Sequence, residues 1–73
     1  MEIELHLAGI YCVVNRAAKR LYVGQTGLCI QRRWHQHKLS LLRGDHYSKL
    51  MQEDFNLYGM SAFNIFVLEV IKF

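Results

Sequence analysis

Five side chains in this sequence can move protons or grip a phosphate: Tyr11, Tyr22, Arg33, His37 and His46. Each phenol offers an O–H that donates, accepts or, with a lowered pKa, gives up its proton. The guanidinium of Arg33 can hold two phosphate oxygens in a planar fork. An imidazole or a phenol can take a proton from water. Hydrolysis of a phosphodiester would also need a divalent cation, held by a carboxylate, to neutralise the leaving oxygen. The residue types are those of a phosphodiesterase, provided the fold brings them together.

The elements that must do so can be read from the pattern. Tyr11 and Tyr22 sit in two short apolar runs, each next to a glycine, on either side of the basic stretch 15–20. That is a hairpin signal, and pairing the runs brings the two tyrosines near one another on a small sheet. The stretch 15–20 reads as too polar for a core and too short for a helix. An ordinary hairpin with two interfacial core tyrosines has the same pattern. Thr26 is a candidate N-cap for the helix that follows. Over residues 28–43, Ile30, Trp34, His37 and Leu41 recur at helical spacing, and Gly44 is a natural stop. Arg33 and His37 therefore lie one turn apart on one side of that helix, with Arg32 and Gln36 beside them. Trp34 is expected to anchor the helix on the sheet.

Asp45 or Ser48 could cap a second helix over residues 47–58, with Met51, Phe55 and Tyr58 as its apolar stripe and Gly59 at its end. Residues 2–7 alternate, placing Ile3, Leu5 and Leu7 on one strand face, and 8–14 continue the strand with both faces apolar. Residues 21–24 return, and 62–73 form the last strand, with Phe63, Ile65, Val67 and Ile71 on one face against Phe66, Leu68 and Val70 on the other. The expected fold class is α+β: a small antiparallel three-stranded sheet, order β-β-α-α-β, with both helices on one face. Nothing remains to cover the other face. Phe66, Leu68 and Val70, with Ile10 and Val14, would be left for a homodimer, a partner protein or a further C-terminal element.

Length and charge narrow the partners. A chain of 73 residues makes one domain, 1–73. Eight of the nine Lys and Arg residues fall between Arg16 and Lys49 against a single acid, Asp45, so the basic middle suits a polyanion. Arg16, Lys19, Arg20, Arg32, Lys38, Arg43 and Lys49 are the candidate nucleic-acid contacts, and a merely solvated basic surface is the alternative. Cys12 and Cys29 have no metal-ligand spacing, which argues against structural zinc and for idle thiols in a reducing compartment. The acidic start is unlike a signal peptide and no apolar run is long enough for a bilayer, so a soluble, cytoplasmic protein is expected.

The ordered set resembles the GIY-YIG nuclease superfamily. Gly9-Ile10-Tyr11 stands as its first motif and Tyr22-Val23-Gly24 as its second, with valine in place of isoleucine. Arg33-Trp34-His35-Gln36-His37 resembles the helix motif, and Gly44-Asp45-His46 a histidine segment of homing-endonuclease members. Phe55-Asn56-Leu57-Tyr58-Gly59, Phe63 and Val67-Leu68-Glu69 look like the corresponding helix and third strand. The resemblance implies DNA cleavage by hydrolysis with Mg²⁺ or Mn²⁺. It implies Tyr11 as general base, Tyr22 orienting water or phosphate, Arg33 stabilising the charged transition state, His37 supporting Tyr11 and His46 as an accessory. In the family the metal-binding glutamate follows the third strand, a place this sequence does not reach. Glu69, on the strand itself, is a structural residue or a weak metal ligand, since Mg²⁺ requires well-placed oxygens.

Three readings follow. One is a minimal or truncated endonuclease, its site completed by a partner chain if need be. Another is an inactive descendant, such as a phage or mobile-element inhibitor or adaptor, docking through its open sheet face. The last is a small structural homodimer.

Overall fold

The computed structural model describes residues 7–71. The alternating segment 2–7 expected to begin the first strand lies outside it except for Leu7, as do Lys72 and Phe73. The elements run β1 (Gly9–Asn15), β2 (Arg20–Thr26), α1 (Ile30–Arg43), α2 (Lys49–Tyr58), a 3₁₀ turn (Met60–Ala62) and β3 (Phe63–Val70). β1 is central in an antiparallel sheet of order β2-β1-β3. The expected architecture is the observed one.

Local chemistry explains the boundaries. The carboxamide Oδ1 of Asn15 accepts from Ala17 N (3.0 Å) and Ala18 N (3.1 Å), a side-chain turn that reverses the chain into β2. Asn15 is thereby fully buried, which corrects its assignment to a turn too polar for the core. Thr26 is not the cap of α1. Its hydroxyl accepts from Leu28 N in the preceding turn, and the cap is Cys29, whose Sγ accepts from Arg32 N at 3.3 Å. Gly44, with φ of 80°, closes α1 as expected, and Ser48 Oγ caps α2 through Met51 N at 3.2 Å.

Tyr11, Val13, Ile30, Leu41, Met51 and Phe63 form the core between sheet and helices, with Trp34 and Phe55 packed against it. The other sheet face carries Leu21, Val23, Phe66 and Leu68, each more than half exposed. Val70 does not belong there. A bulge between Ile10 and Tyr11 pairs Ile10 with Glu69 and Gly9 with Val70, so Val70 falls on the side of Tyr11. An extra residue in one strand reverses the alternation beyond it.

Candidate active site

The register sets Tyr11 opposite Gly24 and Tyr22 opposite Val13, so the two phenols stand diagonally on the helix-covered face. The two motif glycines serve different close approaches. A Cβ on Gly9 would overlap the carbonyl oxygen of Glu69 on the neighbouring strand, and a Cβ on Gly24 would overlap the ring of Tyr11. Gly24 is thus the bed on which the Tyr11 phenol lies.

Tyr11 is the head of a relay. Its Oη lies 2.8 Å from His37 Nε2, and His37 Nδ1 lies 2.6 Å from His46 Nε2. The far end is fixed by the backbone, because Ser48 N–H donates to His46 Nδ1 at 3.0 Å. Burial pushes both imidazoles below their ordinary pKa. The nearby Arg33 charge adds to this for both, and His46 adds to it for His37, which falls to about 4. Both rings are therefore neutral at pH 7, with one N–H each. His46 Nδ1 accepts, so its proton sits on Nε2 and is donated to His37. The His37 proton then sits on Nε2 and is donated to Tyr11. The direction of the whole chain follows from one backbone N–H, and it leaves Tyr11 free to point its own proton outward.

Gln52 holds this arrangement in place. Its Oε1 accepts from His46 N at 3.1 Å, while its Nε2 donates to Leu41 O and Asn56 Oδ1, each at 3.0 Å. Tyr47, three-quarters exposed, stacks on His46 with ring centroids 4.6 Å apart, and the Arg33 guanidinium lies 5.9 Å from the centre of the Tyr47 ring. Burial raises the pKa of Tyr11, and Arg33 opposes that both as a charge and as a donor. Arg33 also donates to Gln36 at 3.2 Å.

Tyr22 has different company. Its O–H donates to Asp54 Oδ2 at 2.5 Å, and Arg20 Nε donates to the same oxygen at 2.9 Å. Burial, the bond to Asp54 and the charge of that carboxylate hold the Tyr22 pKa well above the ordinary phenol range. Burial alone would raise the Asp54 pKa, but donors from Tyr22, Asn15 and Arg20 outweigh it and keep the carboxylate ionised. Asn15 leans toward it without forming a bond of good geometry, since its Nδ2 has no partner.

A cleft of about 300 Å³ lies between the two networks, lined by Tyr11, Tyr22, Gly24, His37, His46 and Tyr47, among others. Four of the five chemistry-bearing residues read from the sequence line it. The fifth, Arg33, reaches its edge and acts on Tyr11, His37 and His46 through its charge. Asp54, Gln52, Ser48 and Tyr47 were not anticipated. Ser48 as a helix cap was foreseen, but not its backbone bond to His46.

Several of the basic residues are otherwise engaged. Arg20, one of the candidate nucleic-acid contacts, is paired with buried Asp54. Arg16 donates to Ser61 O at 2.6 Å and Arg43 pairs with Asp45 at 3.2 Å, though both remain exposed. Lys19, Arg32 and Lys49 are exposed. Lys38 sits over Trp34, 5.8 Å from the ring centre, and with Arg32 and His35 lines a second hollow of about 550 Å³ between α1 and β3.

A divalent cation does not fit the described residues. Among them no three His, Cys, Asp or Glu side chains cluster to hold one. The nitrogens of His37 and His46 are committed to the relay and Asp54 to its donors. Glu69 pairs with Ile10, whose side chain falls on the sheet face away from Tyr11, so the residue offered as a weak metal ligand stands on the wrong side.

A family model for the GIY-YIG catalytic domain matches residues 7–72. The chain belongs to the GIY-YIG family. Among solved structures, a mutant of the catalytic domain of intron endonuclease I-TevI superposes with a TM-score of 0.82 at 34% identity, covering 89% of this chain and 65% of that one. The catalytic domain of homing endonuclease I-TevI gives a TM-score of 0.81 at 32% identity, covering 90% of this chain and 70% of that one. The chain thus spans just under two thirds of the first of these. A search of curated proteins gave no match. This GIY-YIG family member shares the fold of those catalytic domains, and no helix among its described residues is long and apolar enough to cross a membrane.

Proposed function

We propose that this domain binds DNA and hydrolyses its phosphodiesters. The observation that carries the reading is the directed Ser48–His46–His37–Tyr11 relay opening on a cleft shared with Tyr22. Tyr11 takes the proton of the attacking water. The phenolate that must precede this step is stabilised by His37 Nε2–H, which points at it, and by the nearby charge of Arg33. Arg33 then faces the charge that builds on the phosphate. DNA approaches over the basic side chains that remain free, Lys19, Arg32 and Lys49, with Arg16, Lys38 and Arg43 at the margin. Family members use Mg²⁺ or Mn²⁺, and because the described residues make no fitting site, no step here runs through the ion.

Nicking of supercoiled plasmid in Mg²⁺ or Mn²⁺ tests the reading. Tyr11→Phe is expected to lower the rate by about 10³-fold, and undiminished nicking by that variant would remove Tyr11 from its role. Binding that weakens steeply as salt rises would support phosphate contacts, through counterion release.

One observation favours a second reading, an inactive binding protein. Leu21, Val23, Phe66 and Leu68 place a contiguous apolar surface on the open sheet face. Such a protein would cut nothing under either metal, and its mass in solution, or its hold on a partner, would change with Phe66→Asp.

A further inference from the structure

We propose that Asp54 is a positioning residue for the nucleophilic water: by accepting the one O–H of Tyr22 in a hydrogen bond it leaves that phenol oxygen able solely to accept from other groups. The inference rests on the nuclease reading above and adds a residue to it.

A phenol has one hydrogen to donate, and two lone pairs. In Tyr22 that hydrogen is committed to Asp54 Oδ2. A water entering the cleft beside Tyr22 can therefore only donate to it. Doing so turns the water's second hydrogen toward another acceptor and fixes the direction of its lone pair. Tyr11, standing diagonally across β1 and β2, is the acceptor for that second hydrogen once it has lost its own. Without Asp54, Tyr22 could present either its hydrogen or its lone pair, and the water would be held in two senses, one with its lone pair turned into the tyrosine rather than toward phosphorus.

The surroundings of Asp54 suit this task. The residue is 4% exposed, so its oxygen is not shared with bulk solvent. Arg20 balances its charge from the solvent side, its side chain 42% exposed. Asp54 does not itself line the cleft, so it acts through Tyr22 and not on substrate. An ion pair on the far side of a phenol would be an expensive way merely to pack a hairpin, because an apolar pair of similar volume is often as stable.

The test is a double-mutant cycle on plasmid nicking with Asp54→Leu and Tyr22→Phe. Leucine keeps the volume, removes the acceptor and lets Arg20 turn to solvent. Each single variant is expected to lose roughly 10- to 100-fold in kcat with KM little changed, and the double variant no more than the worse single one. Losses that multiply in the double variant would show that Asp54 acts elsewhere and overturn the proposal. So would an unchanged kcat in a folded Asp54→Leu protein that still nicks through Tyr11. Absence of nicking in the unmutated protein would sink the nuclease reading, and this proposal with it, a different failure from the first two. Should Asp54→Leu not fold, Asp54→Ala, which also removes the acceptor, carries the same cycle. Ultraviolet titration supplies a readout that a packing role would not move: removing the carboxylate brings one high-titrating tyrosine down toward about 10. A tyrosine titration curve that does not change in the folded variant would also overturn the proposal.

Discussion

The two sides of the cleft hold the same functional group in opposite ways. On the histidine side, Tyr11 accepts a hydrogen bond from neutral His37 and has a guanidinium close by. On the carboxylate side, the Tyr22 O–H donates a hydrogen bond to Asp54. Tyr11 is buried and Tyr22 half-buried, and both titrate above the ordinary value, yet only Tyr11 is equipped to ionise. Donors aimed at an oxygen favour its anion, and an anion aimed at its proton forbids one. Two tyrosines in a symmetric-looking motif are made unlike by what stands behind them.

That contrast can be broken most severely at Arg33. Arg33→Ala removes the one cation acting on Tyr11, His37 and His46 together, and nicking is expected to fall by about 10³-fold or more. If it falls no further than in Tyr22→Phe, the two sides are not as different as argued.

Next comes Gly24→Ala. The added methyl collides with the Tyr11 ring, so it should lower nicking about 10²-fold and cost about 1–3 kcal/mol of stability through overpacking. Tyr22, two residues away with its bond to Asp54, should keep its high titration, and the separation of the two readouts would sharpen the distinction.

Acid separates the sides with the smallest effect. The unfolded chain protonates His37 near 6.5, while the folded protein resists until about 4. Protonation therefore favours unfolding, and stability complete above pH 6.5 is lost as the pH falls toward 4. Chemical denaturation at pH 5 should show a deficit of roughly 2 kcal/mol from His37 relative to pH 7.5, and His37→Gln should shrink the total to the share of His46. Asp54 loses its contribution in the same direction but in a more acidic window. Its pKa is depressed, so its contribution is present above the ordinary carboxylate value and is lost only below about 4. A single loss of stability confined to pH below 4 would contradict this division.

Much of the histidine side was legible because its spacing is local. Arg33 and His37 sit four apart on one helix, and the GIY and YVG triplets carry their own glycines. The carboxylate side was not legible. Asp54 stands among polar residues on a helix whose apolar stripe is plain, and Glu53-Asp54 reads as two solvated acids. Only the third dimension brings it beneath β2, 32 residues from Tyr22. Asn15 misled in the same way: a turn residue was judged by its polarity, although its side chain satisfies the turn from inside the core. Thr26 was a reasonable cap by type, but the chain makes one more turn before the helix begins, so the weaker sulfur acceptor of Cys29 takes the place. The face of Val70 could not be read, because strict alternation has no means of announcing an extra residue in a strand.

That extra residue sets more than the place of one valine. Were β3 to run past β1 without it, Ile10 would meet Leu68, Gly9 would meet Glu69, and the glutamate would turn inward on the Tyr11 side of the sheet. One position of strand slack thus decides whether an acidic oxygen is aimed toward the relay or toward solvent. Closing that bulge with every residue of the edge strand kept is accordingly a route by which protein engineering could re-aim a carboxylate without changing any residue of the cleft, whereas deleting Leu68 would leave Glu69 opposite Ile10.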